Sequence, residues 1–236
     1  MIGYEMPLIA LQELAKHPVD HIVSLGSSCD VAYNLRRYFD YSTAYPFDWW
    51  VSSGAGVMKV LAGADVKALY NQPSLTFQRN QKTERAAVFN KCFDISFTHE
   101  FPRDVKIPGG PVHENYQQYI PAAMERTEAL IRRLFSLNGE GLRFLFVRRV
   151  LRSESADTRE FQNLVETLSQ AFSNVQFGLI LVNSTLGRAQ LGDAVSLHIP
   201  IKRSFGWKGD PDLWDASLAT LAVSLRKGLH KPARKI

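Results

Sequence analysis

The chain has 236 residues, 45% hydrophobic and 22% charged, enough apolar material for a sizeable soluble core without disulfide staples. Its net charge of +5 is local: residues 226–236 (RKGLHKPARKI) hold five Lys/Arg and no acid, leaving 23 basic against 23 acidic residues elsewhere. That balance gives no basic face for nucleic acid, no apolar run approaches the ~20 residues of a membrane span, and two cysteines 63 positions apart make neither a disulfide framework nor a metal-ligand spacing.

Residues 5–17 read as a helix, with Leu8, Leu11, Leu14 and Ala15 on one side and His17-Pro18 ending it. Glu5 and Glu13 flank the apolar stretch, and without a basic n-region no signal peptide is expected; the expected location is cytoplasmic. Ile22-Val23-Ser24-Leu25 reads as a strand, Gly26-Ser27-Ser28 as a tight turn, and Cys29 onward as a helix ending near Asp40, with Val31, Ala32, Leu35 and Phe39 on one face. Residues 41–50 are irregular and aromatic, and 52–61 can start a short helix through Val57, Val60 and Leu61. Short strands are predicted at 75–77, 87–89 and 93–97, the last from its alternation of Phe93, Ile95 and Phe97 with polar residues. The Pro/Gly cluster at 108–111 forces a loop.

A long helix is predicted from about Asn115 to the Asn138-Gly139 stop, then a buried strand over 142–147 (LRFLFV) and a helix over 157–172. Further strands are expected at 175–182 and 194–201, and a last helix at 211–227 with Trp214, Leu218, Leu221 and Leu225 aligned. This alternation predicts an α/β fold, a mostly parallel sheet with helices on both faces (SGNH/Rossmann-like, three layers), with a small β-containing insertion around 65–112. One domain over 1–227 and a basic tail over 228–236 are expected.

The order strand, turn, cysteine, helix sets the Cys29 thiol at a helix start, where unpaired N–H groups and the positive dipole end favour an anion. A lowered thiol pKa and an oxyanion site follow from that placement; a buried cysteine acting as a small hydrophobe is the competing reading. Cys92, between Phe89 and Phe93, reads as core. Ligands of open parallel sheets sit at the carboxyl ends of the strands. This makes Ser27, Ser28, Arg148, Arg149, Asn183 and the loop 204–212 candidate binding residues. Ser27 and Ser28 are equally natural turn and capping residues, and the two arginines equally plain ion-pair partners. Trp207 and Asp210 make an aromatic-plus-acid pair suited to sugar, while Trp214 reads as part of its helix face. Asp48 can also cap a helix starting at Trp49 or Trp50.

SLGSSCDVAYNLRR, YPFDWW, ISFTHEF, RFLFVRR and GWKGDPDLWD together resemble an uncharacterised bacterial family, a domain of unknown function (DUF1796) labelled "putative papain-like cysteine peptidase". The resemblance covers about residues 21–214. It implies Cys29 as nucleophile, His99 as its base and Asp48 as the acid that orients the histidine, the three-part logic of nucleophilic catalysis. Where papain-type enzymes carry a glutamine upstream of the nucleophile, this chain has Leu25-Gly26-Ser27-Ser28. The opening also resembles SGNH hydrolases, whose nucleophilic serine would be Ser28; their late Asp-x-x-His is missing, since neither Asp210 nor Asp212 has a histidine three residues on and His198 follows Asp193 at another spacing. The functional expectation is a cysteine-dependent hydrolase of peptide or amide bonds, without cofactor or metal, acting on a small-molecule, peptide or carbohydrate substrate. The other expectation is a non-catalytic carbohydrate- or nucleotide-binding module, or a transferase, using residues 26–29 as an anion-binding turn.

Overall fold

A computed structural model describes residues 7–79, 86–103, 112–200 and 203–231. In chain order the elements are α1 (Leu11–Leu14), β1 (His21–Ser24), α2 (Cys29–Phe39), β2 (Trp50–Ser52), α3 (Gly54–Leu61), α4 (Val66–Leu69), β3 (Leu75–Arg79), β4 (Ala86–Asn90) and β5 (Ile95–Phe97). Then follow α5 (Ile120–Phe135), β6 (Arg143–Arg149), α6 (Thr158–Ala171), β7 (Gln176–Val182), α7 (Arg188–Leu191), β8 (Val195–Leu197) and α8 (Pro211–Ala219).

The fold is α/β, built on two four-stranded sheets. One is parallel, in the order β1-β6-β7-β8; the other is antiparallel, in the order β2-β5-β4-β3. Alternation along β6 divides the helices between the faces of the parallel sheet. Phe144 and Phe146 meet Phe172, just past α6, whose ring stacks on Phe135 of α5. Leu145 faces the other way with Gly178, against which Leu11 and Leu14 of α1 pack. The one-residue step thus buries an aromatic cluster on one side and an aliphatic one on the other, as expected for a central strand covered twice.

Four expectations are corrected. The antiparallel sheet begins before the supposed insertion: β2 lies inside the aromatic stretch and pairs with β5, Trp50 opposite Phe97 and Ser52 opposite Ile95. Helix α1 is one turn, not a helix over 5–17. Residues before it run extended along β7, with Ile9 N–H donating to Phe177 O at 2.9 Å and Phe177 N–H to Pro7 O at 2.8 Å. They cover the stretch of β7 that short β8, paired only with Ile180 to Val182, leaves without a partner. The last helix stops at Ala219; Ala222 turns left-handed (φ 52°), and Ser224 and Arg226 then hydrogen-bond Val19 ahead of β1. Cys92 is exposed, in a turn where the Asn90 carboxamide oxygen accepts the N–H groups of Cys92 and Phe93. The loop expected over 108–111 and the end of the basic tail, 232–236, lie outside the described residues. Among the described residues no helix is long and apolar enough to cross a membrane.

Candidate active site

Cys29 is the first residue of α2, set there by β1, Leu25 and the turn Gly26-Ser27-Ser28. Gly26 adopts φ 78°, a conformation that glycine takes without a steric cost, and a Cβ there would lie 2.7 Å from Ser52 Oγ. The turn is pinned on both flanks. Arg149 N–H donates to Gly26 O at 2.9 Å from the parallel sheet, and Ser52 N–H donates to Ser27 O at 3.3 Å from the antiparallel one. The thiol therefore sits where the two sheets meet.

A cleft of about 1020 Å³ opens over it, walled by Ser28, Cys29, Asp30, Thr98, His99, Arg103, Arg149, Trp207, Gly209 and Trp214 among others. His99 reaches this cleft from the end of β5, 70 residues along the chain. The motif around it explains its position. Phe97 and Phe101 are buried on either side, Thr98 Oγ1 donates to Trp49 O at 2.9 Å, and Glu100 accepts the Trp50 indole N–H at 3.0 Å. The imidazole stands edge-on to Trp49 (5.4 Å between centroids), with Trp207 6.3 Å away on another side. Arg103 caps the turn, donating from Nε to Thr98 O at 2.8 Å.

Electrostatics at the thiol run against the helix-terminus expectation. Burial first, then the Asp30 carboxylate, push the Cys29 thiol up to about 11. The backbone N–H groups of Cys29 and Asp30 act in the predicted direction, as does Arg103, but they are outweighed. Desolvation disfavours a charged thiolate more than a single turn of partial charges favours it. The same reasoning applies to His99, whose pKa is lowered by burial and then by Arg103. Burial thus favours the uncharged form of both thiol and imidazole.

Asp48 is elsewhere. It is the third residue of a 3₁₀ turn, Pro46–Trp49; its buried carboxylate accepts Tyr45 N–H at 2.7 Å and pairs with Arg36 of α2. Burial raises its pKa to about 6 against the opposing pull of Arg36. It has no hydrogen bond to His99, and the histidine is held by rings instead. Arg36 in turn lies over Trp49, 5.4 Å from its centroid. Asp48 thus connects to the imidazole indirectly, through Arg36 and Trp49.

Of the other candidates, Ser28 and Trp207 line the cleft. Ser28 donates its hydroxyl to Asp30 Oδ1. Trp207, 45% exposed, stands edge-on to Tyr33 at 5.4 Å, with Lys208 Nζ over both rings. Ser27 is sealed beneath the turn. Arg148 and Arg149 are not surface ion pairs. As neighbours on a strand they point to opposite faces. Arg148 pairs with Glu154 at 3.0 Å beside α3, away from the cleft, while Arg149 pairs with Asp30 at 2.6 Å beneath Cys29. Asn183, at φ 65°, brackets Ile199 with both ends of its carboxamide and fixes the β7–β8 connection. Asp210 caps α8, accepting Asp212 N–H at 3.1 Å.

Sequence reasoning missed Asp30 and Trp214 as cleft residues, while Gly209 lies in the loop 204–212 that it named. Asp30 carried a signal, a carboxylate one step into a helix beside a candidate thiol; Trp214 carried none, because its helical spacing is that of a core residue. Among the described residues no three His, Cys, Asp or Glu side chains cluster as metal ligands would.

Residues 20–187 match the model of a family described as "Putative papain-like cysteine peptidase (DUF1796)". The chain is also 22% identical over 199 residues to "Uncharacterized protein R408" of Acanthamoeba polyphaga mimivirus, covering 78% of this chain and 80% of the relative, so the resemblance is not confined to bacteria. No solved structure matches.

Proposed function

The chain belongs to this family, and on that premise we propose that it is a cysteine-dependent hydrolase acting on amide or peptide bonds. One observation carries the reading: Cys29, at the start of α2, and His99, at the end of β5, wall the same cleft although nothing in the local sequence joins them.

The resting pair is neutral, so activation is concerted rather than pre-ionised. As Cys29 Sγ attacks the carbonyl carbon, its proton passes to the free ring nitrogen of His99, which the lowered imidazole pKa leaves unprotonated to receive it. The N–H groups of Cys29 and Asp30, which already stabilise charge at the sulfur, face the developing oxyanion. Collapse of the tetrahedral intermediate breaks the C–N bond, and His99 returns the proton to the leaving amine. Water then attacks the thioester, giving its proton to His99, and the carboxylic acid leaves as Sγ regains that proton. Asp48 is a positioning residue in this scheme, holding Arg36 against the Trp49 ring that orients His99. An SGNH-like esterase would use Ser28 instead; commitment of its hydroxyl to Asp30 makes Cys29 the better-placed nucleophile.

The test is a substrate-like electrophile, a peptidyl acyloxymethyl ketone, followed by peptide mapping. The expected adduct is on Cys29, with a rate at least ~100-fold lower in His99→Ala. An adduct confined to exposed Cys92, or formed equally fast in His99→Ala, overturns the proposal. A second reading, a carbohydrate-binding module, is favoured by the exposed Trp207 ring beside Tyr33. Glycan binding that survives in Cys29→Ser and is lost in Trp207→Ala, with no turnover of any amide by the native protein, selects it.

A further inference from the structure

We propose that Arg149, Trp214 and Gly209 form an acceptor subsite in the floor of the Cys29 cleft, built to take an uncharged amide carbonyl oxygen. The proposal rests on the hydrolase reading only in calling the bound group part of a substrate.

Two buried donors point to it. Arg149, 5% exposed, spends Nη2 on Asp30 at 2.6 Å and Nη1 on Ile199 O at 3.3 Å, but its Nε–H is buried with no acceptor. Trp214, wholly buried, has an indole N–H with no acceptor either. An indole nitrogen only donates, so it has no alternative way to be satisfied. The two groups are neighbours, the guanidinium lying over the indole ring 5.5 Å from its centroid, and both wall the cleft that holds Cys29. Buried donors are normally paired, and two orphans side by side in a cleft call for a ligand.

Gly209 keeps the place open. It lines the same cleft, and a methyl group there would lie 3.2 Å from the indole nitrogen and 3.7 Å from Asp30 Oδ2. Any side chain would occupy the space that an acceptor needs.

Charge selects the ligand. Asp30 already matches Arg149, so the floor is neutral overall. A carboxylate placed there would face the Asp30 carboxylate beside a guanidinium already paired with it, whereas a carbonyl oxygen offers two lone pairs and no charge. The thiol raised by burial and the imidazole lowered by it show the same intolerance of charge of either sign. A peptide presents such carbonyls next to its scissile bond.

The experiment follows the Trp214 indole N–H signal in the ¹⁵N-labelled full chain, assigned by its disappearance in Trp214→Phe, during titration with acetamide and separately with acetate. A saturable downfield shift is expected with the amide, with about tenfold weaker binding of the acid and about tenfold weaker amide binding in Gly209→Ala. Unchanged signals from the other three tryptophans establish that Gly209→Ala is folded. The titration is repeated in Cys29→Ala, where the amide Kd should not change; this keeps the subsite separable from the nucleophile. An indole signal unmoved by the amide, an acid that binds as tightly, or a Gly209→Ala that binds as well as the native chain each overturns the proposal.

Discussion

Replacing Asp30 by Asn tests the electrostatic account of the site most directly, because the carboxylate has two separable jobs. It raises the Cys29 thiol pKa, second only to burial, and it pairs with Arg149 at 2.6 Å with both side chains about nine-tenths buried. At an effective dielectric of about 20, a unit charge some ångströms from a thiolate is worth on the order of 1–3 kcal/mol, or about one to two pKa units. In Asp30→Asn the thiol should therefore titrate about one to two units below its native value of about 11, burial still holding it up. The same change strands a buried guanidinium and should cost about 3–5 kcal/mol of stability, a large part of a typical domain's total. Rate of alkylation by iodoacetamide against pH, resolved by peptide mapping, reads the first effect; urea unfolding reads the second. Should the single variant not fold, Asp30→Asn with Arg149→Met removes both charges; it should recover most of the stability while keeping the thiol below its native value. A Cys29 profile that stays near 11 in either variant refutes the assignment of Asp30 as a charge that raises the thiol.

His21 is half-buried against Phe144 and beside His230, and desolvation followed by the His230 charge lowers its pKa to about 4. The unfolded chain takes up this proton first, so stability present above the unfolded value of 6.5 is lost as pH falls toward 4. His21→Gln should flatten the fall in Tm between pH 6.5 and 4, and an equally steep fall counts against the assignment. Gly56→Ala should cost about 1–3 kcal/mol in urea unfolding, because a Cβ there would sit 2.1 Å from Phe93 O, a backbone atom that cannot rotate away. A change within ~0.5 kcal/mol would mean that α3 and the β4–β5 turn separate more easily than their packing implies.

What could be read along the chain was what local periodicity encodes. Continuous apolar runs gave β6 and β7, and 3.6-residue spacing gave α2, α5 and α6, because each of these elements buries a face set by its own residues. Elements whose ends are decided by a partner were misjudged. The segment before α1 has helical spacing, yet it runs extended because β7 offers unpaired backbone groups; α8 stops early because 224–226 satisfy Val19 instead. The three residues of β2 are strand only because β5 lies beside them, and an aromatic run says nothing of that.

The site divides along the same line. Placement of Cys29 on the first turn of a helix was legible, since strand, glycine turn and helix are consecutive; its pKa was not, since the opposing terms are burial and a carboxylate that only the fold makes buried. For Asp48 the resemblance named His99 as the target, and the carboxylate goes to Arg36 and Tyr45 N–H instead. The nearest strong cation is Arg36, and a buried carboxylate that met an imidazole instead would leave that guanidinium unpaired, the costlier outcome. The histidine is consequently fixed by Trp49 and Trp207, through ring edges rather than a charged hydrogen bond. Among the described residues no carboxylate hydrogen-bonds this imidazole to stabilise its protonated form. Burial and Arg103 lower its basicity, so in the proposed reaction the cleft starts from an uncharged thiol and imidazole, the condition under which an uncharged amide enters at least cost.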